Sequence, residues 1–445
     1  MRRLARLLLL VAVGTVGLLV LPSAAGAQTP PERTIFNLRA LGSSPNPLTY
    51  TETGANSDLA FWGNTAINGS YKGFRIIDIS DRQNPQEIIN YEDCSPTPPG
   101  FGNQGDIVIW EDILVRAWNS PAAEGATCDG QEVDPGFEGV HVFDISNPQD
   151  PALIGEVELP CGSHTLTAVP DVEAGRLLVY NHTSGGPCFF FDMLEVPLDA
   201  PQDTHLLRQI PLETEGACHD SGVILGDVNL MACASHHEAN VYDIGANQFE
   251  GGSIERPKFM YKIAEPGVGD DPDHPGNWHS AGFTWDGKVL ILGWEPGGGA
   301  DPECEATDPV TTKSAFFYNA KTGDKLGQWT LPRSQTAEEN CTIHNYNVVP
   351  IEGRYILTSG NYQAGTWVTD FTKPAEPFVR GFADPDPLVP TQLGGAWSSY
   401  WYNRNIYESS ITEGLNIWRL RDPEIRQDSM RLRHLNPQTQ EFSLP

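Results

Sequence analysis

Four of the chain's eleven histidines, His164, His219, His279 and His344, stand at one phase of a recurring pattern. Each opens a hydrophobic run, in CGSHTLTAVP, CHDSGVIL, WHSAGFTW and IHNYNVVP, at intervals of 55, 60 and 65 residues. Neutral imidazole is the commonest protein ligand for transition metals, and several converging imidazoles suit iron, copper, nickel or zinc. A lone histidine at a strand start reads as a polar residue bonded to its neighbour. Four in register raise a second reading, a divalent transition metal centre able to support an oxidative reaction. His182, His236, His237 and Glu295 stand near the expected ends of the following strands and would orient these imidazoles through their outer ring nitrogens. Asp220 and Asn345, each next to a ring histidine, are further candidates for that role.

The elements that must position these groups are strands. Within Glu138–Pro170, VHVFDIS alternates and is rich in β-branched and aromatic residues, and NPQDP is turn chemistry. PALIGEV and HTLTAVP read as the next two strands. Seven segments repeat one plan of inner strand, turn, second strand, loop, third strand and fourth. The seventh (WSSYWY, NIYESS, GLNIWRL) lacks its fourth strand, and the isolated run Thr34–Arg39 would supply it. Four-stranded repeats closed into a circle make a β-propeller whose innermost strands line the axis. The expectation is therefore an all-β chain, one seven-bladed β-propeller over 34–421 closed by an N-terminal strand, with four histidines at the channel mouth. Ser57, Gln104 and Trp397 hold the other ring positions and bring no strong ligand, leaving one side of a metal open to water or substrate. Trp278, Trp285, Tyr346, Tyr400 and Trp401, with Trp397, read as core; near the mouth such rings could stack on an organic ligand.

GFRIIDIS (Gly73–Ser80) with Asn84-Pro85, and GVHVFDIS (Gly139–Ser146) with Asn147-Pro148, resemble the LVIVD repeat. That repeat reads G-φ-x-φ-φ-D-φ-S-x-P-x-x-P, φ being apolar. ANVYDIG, GTWVTDFTKPAEP and GLNIWRLRDP match it more loosely. The resemblance implies an exported propeller and no particular activity.

Residues 1–27 read as a signal peptide: basic MRRLAR, apolar LLLLVAVGTVGLLVL and the small-residue site Ala25-Gly26-Ala27. No later apolar run is long enough for a transmembrane anchor, and 422–445 reads as a polar C-terminal tail. A secreted monomer is expected, extracellular or associated with the cell surface. A formal net charge of −30 repels nucleic acid and anionic membranes, which excludes both as partners. Eight cysteines without a CxxC pair favour disulfides over thiol or zinc-ribbon chemistry. On propeller geometry the loops carrying them emerge on one face, which pairs Cys94–Cys128, Cys161–Cys188, Cys218–Cys233 and Cys304–Cys341. The acidic loops Asp270–Gly276 and Asp384–Pro387 lack the glycine and terminal glutamate of an EF-hand and read as solvated. No GxSxG elbow, P-loop, GxGxxG after a strand, or HExxH is present. Beside the metal centre stands an alternative from another class, a non-enzymatic scaffold that presents loops to a protein or glycan.

Overall fold

The computed structural model describes residues 34–46, 55–95, 104–183, 188–213, 216–245, 249, 251–269, 276–299, 301–386 and 393–445. The signal peptide, residues 270–275 of one acidic loop and Pro387 of the other lie outside them.

Antiparallel meanders follow one another along the chain. The first sheet runs Asn56–Trp62, Thr65–Ser70, Gly73–Asp78, Gln86–Tyr91, and the second Ile107–Trp110, Ile113–Trp118, Gly139–Asp144, Ala152–Glu158. Thr165–Asp171 opens the third, Cys218–Ile224 the fourth and Gly276–Phe283 the fifth. A nine-stranded sheet holds two further units, joined where Asn345–Val348 pairs in parallel with Ala396–Tyr402. Opening strands of consecutive units touch in order, and Ala396–Tyr402 returns to Asn56–Trp62. The architecture is that of a β-propeller.

Its core lies between sheets. Val108, Val115, Val142, Leu166, Val179 and Leu194 form one buried cluster between the second and third, and Ile224, Ala232, Val241, Phe283, Leu292 and Phe316 another between the fourth and fifth. First and last units are stitched through Phe61 stacked on Tyr402 at 4.7 Å and through Asn68 Nδ2 donating to Ser409 Oγ at 2.9 Å.

The repeat letters have physical causes. A Cβ on Gly73 would lie 1.9 Å from Tyr91 O, and one on Gly139 2.0 Å from Val157 O, so only glycine lets the fourth strand approach. Asp78 and Asp144 end their strands by accepting from the backbone N–H of Ser80 and Ser146, each at 2.8 Å.

The N-terminal run divides. Thr34–Phe36 pairs with Phe378–Asp384, whereas Leu38–Pro45 pairs antiparallel with Gly414–Leu420. Asn37 makes the break at φ 55, in the left-handed region that asparagine tolerates, and donates Nδ2 to Arg380 O at 2.7 Å. The pairing strand thus extends beyond Thr34–Arg39 to Pro45.

The C-terminal residues are built in. After a short helix, Pro423–Asp428, His434–Leu435 pairs with the first sheet and Thr439–Gln440 with Val223–Ile224 of the fourth. Asn436 both receives Ile109 N (2.8 Å) and donates to Ile109 O (2.9 Å). Thr439 donates to Ala168 O at 2.6 Å and Gln440 to Phe283 O at 2.7 Å. The tail therefore crosses five units at the end of the opening strands remote from the histidines.

Candidate metal centre

The opening strands aim the histidines by breaking register. Pairing in the fourth sheet skips from Cys218 to Asp220, and in the fifth from Trp278 to Ser280, so His219 and His279 are the bulged residues. Trp397 occupies the same kind of break between Ala396 and Ser398. A bulge turns one side chain out of the pleat, here toward the axis. His164 and His344 instead precede their strands, each giving its N–H to the end of the second strand, at His182 O (2.8 Å) and Gly360 O (3.0 Å).

All four expected ring histidines come together. Centroid separations are 4.4 Å from His164 to His219, 4.3 Å to His279 and 4.1 Å to His344. The row ends against Trp397 at 4.7 Å and Tyr362 at 4.3 Å. Burial pushes His219 down to about 4 and His344 to about 3. Burial, then repulsion between neighbouring imidazoles, holds His164 and His279 well below the usual histidine range. All four are thus neutral near pH 7, the form that can ligate. His344 Nδ1 donates to Trp397 O at 2.5 Å, which leaves its Nε2 as the lone-pair nitrogen. Backbone at His279 and His344 is felt by the rings of His219 and His279, but outside hydrogen-bond geometry, and Nδ1 of His164, His219 and His279 is buried without a partner.

Glu295 faces this row from the second strand of the fifth sheet. Its Oε2 lies 3.7 Å from His279 Nε2 and its Oε1 3.8 Å from His344 Nε2. Tyr362 donates its hydroxyl to Oε1. Burial raises the Glu295 carboxyl to about 7. Ligand atoms of His219, His279 and Glu295 all lie within 4.8 Å of one another. Separations of 3.7 and 3.8 Å are long for hydrogen bonds, yet close to the edge of about 3.4 Å in a tetrahedron of 2.0–2.2 Å metal bonds. Among the described residues one other group is as tight, Cys94, Cys128 and His141, but its sulfurs are joined in a disulfide and offer no thiolate.

The other expected residues lie as follows. His182 Nε2 meets Ser221 Oγ at 2.8 Å, and burial lowers this ring to about 3. His236 and His237 are exposed and lie 4.0 Å apart, with His236 Nδ1 at Asn277 Oδ1. Asp220 and Asn345 line a small axial cavity beside His164 and His279, along with Asp58, Asp106, Gln104, Trp397 and Gln438. Sequence reasoning missed Tyr362, which belongs to the irregular NYQAG turn at φ 45, and gave Glu295 only an orienting role. Glu295 closing an apolar strand, VLILGWEP, was the signal available for it.

The four disulfides pair as expected, Cys94–Cys128, Cys161–Cys188, Cys218–Cys233 and Cys304–Cys341. The LVIVD repeat model matches residues 54–93 and 137–158. The chain thus carries LVIVD repeats in its first two units. Comparison with curated proteins gives no match. Among solved structures, the chain is similar to one from "Crystal Structure of Mitotic Checkpoint Complex", at 11% identity and TM-score 0.49, over 94% of this chain and 100% of that one. No helix among the described residues is long and apolar enough to cross a membrane.

Proposed function

We propose that this LVIVD-repeat protein is an exported, seven-bladed propeller, closed by its N-terminal strand, that binds one divalent transition metal at the channel mouth and uses it on a small molecule. The observation that carries this is the meeting of His219, His279 and Glu295 within 4.8 Å. Two imidazoles and one carboxylate with open positions are the donor set of non-haem iron(II) oxygenases, which makes iron the first choice and an oxidative reaction the class. Zinc, copper and nickel accept the same donors. His219, His279 and Glu295 hold the metal, with His164 and His344 flanking on the same arc. Tyr362 fixes the carboxylate, and burial keeps the rings deprotonated. The metal supplies the open coordination position. Export is supported by the basic-apolar leader and four disulfides, and a monomer is proposed.

The non-enzymatic scaffold has one observation in its favour, the bond from His344 to the neighbouring strand at Trp397 O. Metal analysis of protein purified without a histidine tag separates the two. One transition metal per chain, lost in His219→Ala and Glu295→Gln, supports the centre. Metal-free wild type after loading, or full metal content in His219→Ala, overturns it.

A further inference from the structure

The C-terminal residues circle the floor and leave a pocket where the circuit closes. Met430 N donates to Pro350 O at 2.8 Å, just past Asn345–Val348. Leu432 N then donates to Asn403 Oδ1 at 2.9 Å, and Arg433 O accepts from Gly63 N at 2.8 Å. The contacts with Ile109, Ala168 and Phe283 follow. The far end returns to its start. Leu444 N donates to Trp285 O at 2.6 Å, and Trp285 Nε1 donates to Val348 O at 2.7 Å. Between the two ends of the tail lies a pocket of about 290 Å³. That volume is near the lower end, about 300 Å³, for pockets that hold small molecules.

The pocket is apolar in its walls and cationic in its charges. Trp285, Met430, Leu432, Leu435 and Phe442 line it, with Phe442 packed on Trp285 at 5.0 Å between ring centroids. Met430 is 43% exposed, so part of this apolar wall faces solvent. Two arginines, Arg431 and Arg433, stand there against Glu441 in a chain of formal charge −30. Glu441 is already engaged, its Oε1 lying 2.6 Å from Nε2 of His434, which also lines the pocket. Arg433 lies over the Trp62 ring at 5.4 Å and 3.7 Å from Glu111, an exposed pair that holds it weakly. Arg431 has no ion pair among the described residues.

We propose that this pocket binds a small aromatic carboxylate, its ring against Trp285 and Phe442 and its charge on Arg431 and Arg433. The planar guanidinium matches a carboxylate through two parallel hydrogen bonds, which a lysine would not offer. Aromatic walls favour a ring through offset or edge-on contacts. A free phosphate would leave the apolar walls wet, and a neutral hydrocarbon would leave both arginines unused. The volume admits one or two fused rings and excludes a long acyl chain. Because the two ends of the tail form the walls, an occupant ties them together and stabilises the folded chain.

This site lies apart from the histidines and does not rest on the transition metal centre. Chelator-treated full-length protein, in which no metal can take the carboxylate, is titrated with β-naphthoate by calorimetry and followed in thermal unfolding. The uncharged β-naphthamide, of nearly the same shape, is the control. One β-naphthoate per chain with a rise in Tm is expected, bound at least about tenfold more tightly than the amide. Both arginine side chains are exposed, so the double variant Arg431→Gln, Arg433→Gln should melt as wild type does. It should bind β-naphthoate no better than the amide. Absence of saturable β-naphthoate binding to wild type overturns the site, and so does equal affinity for the two probes. Full β-naphthoate affinity in the double variant overturns it as well. Should that variant fail to fold, the two probes on wild type decide.

Discussion

The two ends of the propeller axis are closed by different means. At the mouth, side chains from one phase of the repeat stand side by side, held by bulges at His219, His279 and Trp397. At the floor, a single non-repeating segment crosses five units between His434 and Gln440. The mouth is built of neutral imidazoles, three of which (His164, His219 and His279) bury an Nδ1 without a partner, a poor way to stabilise a fold and a good way to bind a ligand. The floor is apolar packing plus satisfied backbone, which is what stability requires. One end should therefore govern chemistry and the other folding.

Deleting residues 432–445 should have the largest effect on stability. It uncovers the pocket walls that Leu432 and Leu435 bury and leaves Ile109 unpaired, for a loss of at least about 5 kcal/mol in chemical denaturation. A variant melting within a few degrees of wild type would make the floor dispensable and break the contrast.

Glu295→Gln sharpens it from the other end. The folded carboxyl is raised to about 7 from 4.5, so between these values the folded state holds a proton that the unfolded chain has lost. This group's stabilisation is complete below pH 4.5 and disappears as pH rises through about 7. Metal-free Glu295→Gln should thus exceed wild type by about 3 kcal/mol above pH 7.5, with the advantage vanishing by pH 4.5. A pH-independent difference in urea unfolding would show that Glu295 is not buried as a proton acceptor. Metal-loaded protein should show the reverse order, since the charge then has its partner.

Asn436→Ala removes two bonds to one buried peptide and should cost about 2 kcal/mol in the same assay, with metal content unchanged. His236→Ala marks the small end of the series. Its ring is exposed and meets Asn277, so stability within about 0.5 kcal/mol of wild type and unchanged metal are expected.

The contrast also explains what the sequence disclosed. His164, His219, His279 and His344 were legible because a repeat places equivalent positions at one depth, so phase alone predicts their meeting. The disulfides were legible for the same reason, since loop class follows from strand order. Tyr362 was not, because it sits in an irregular turn where no period applies. Asp58 and Asp106 escaped because a buried carboxylate at a strand start looks like any polar residue there. The tail escaped because HLNPQTQEF has no apolar period: its affinity for the floor lies in two amides and a hydroxyl matched to three separate backbones, a long-range property. Of the expected closing run Thr34–Arg39 only Leu38 and Arg39 pair with Gly414–Leu420, because the turn at Asn37 sends Thr34–Phe36 to Phe378–Asp384.

The central claim is that His219, His279 and Glu295 share one transition metal. Anomalous diffraction from crystals of iron(II)-loaded protein, grown without oxygen, tests it most directly. The account predicts one strong peak about 2.0–2.2 Å from the ligand atoms of all three residues. A mouth without a peak, its histidines bonded only to neighbouring strands, would contradict it.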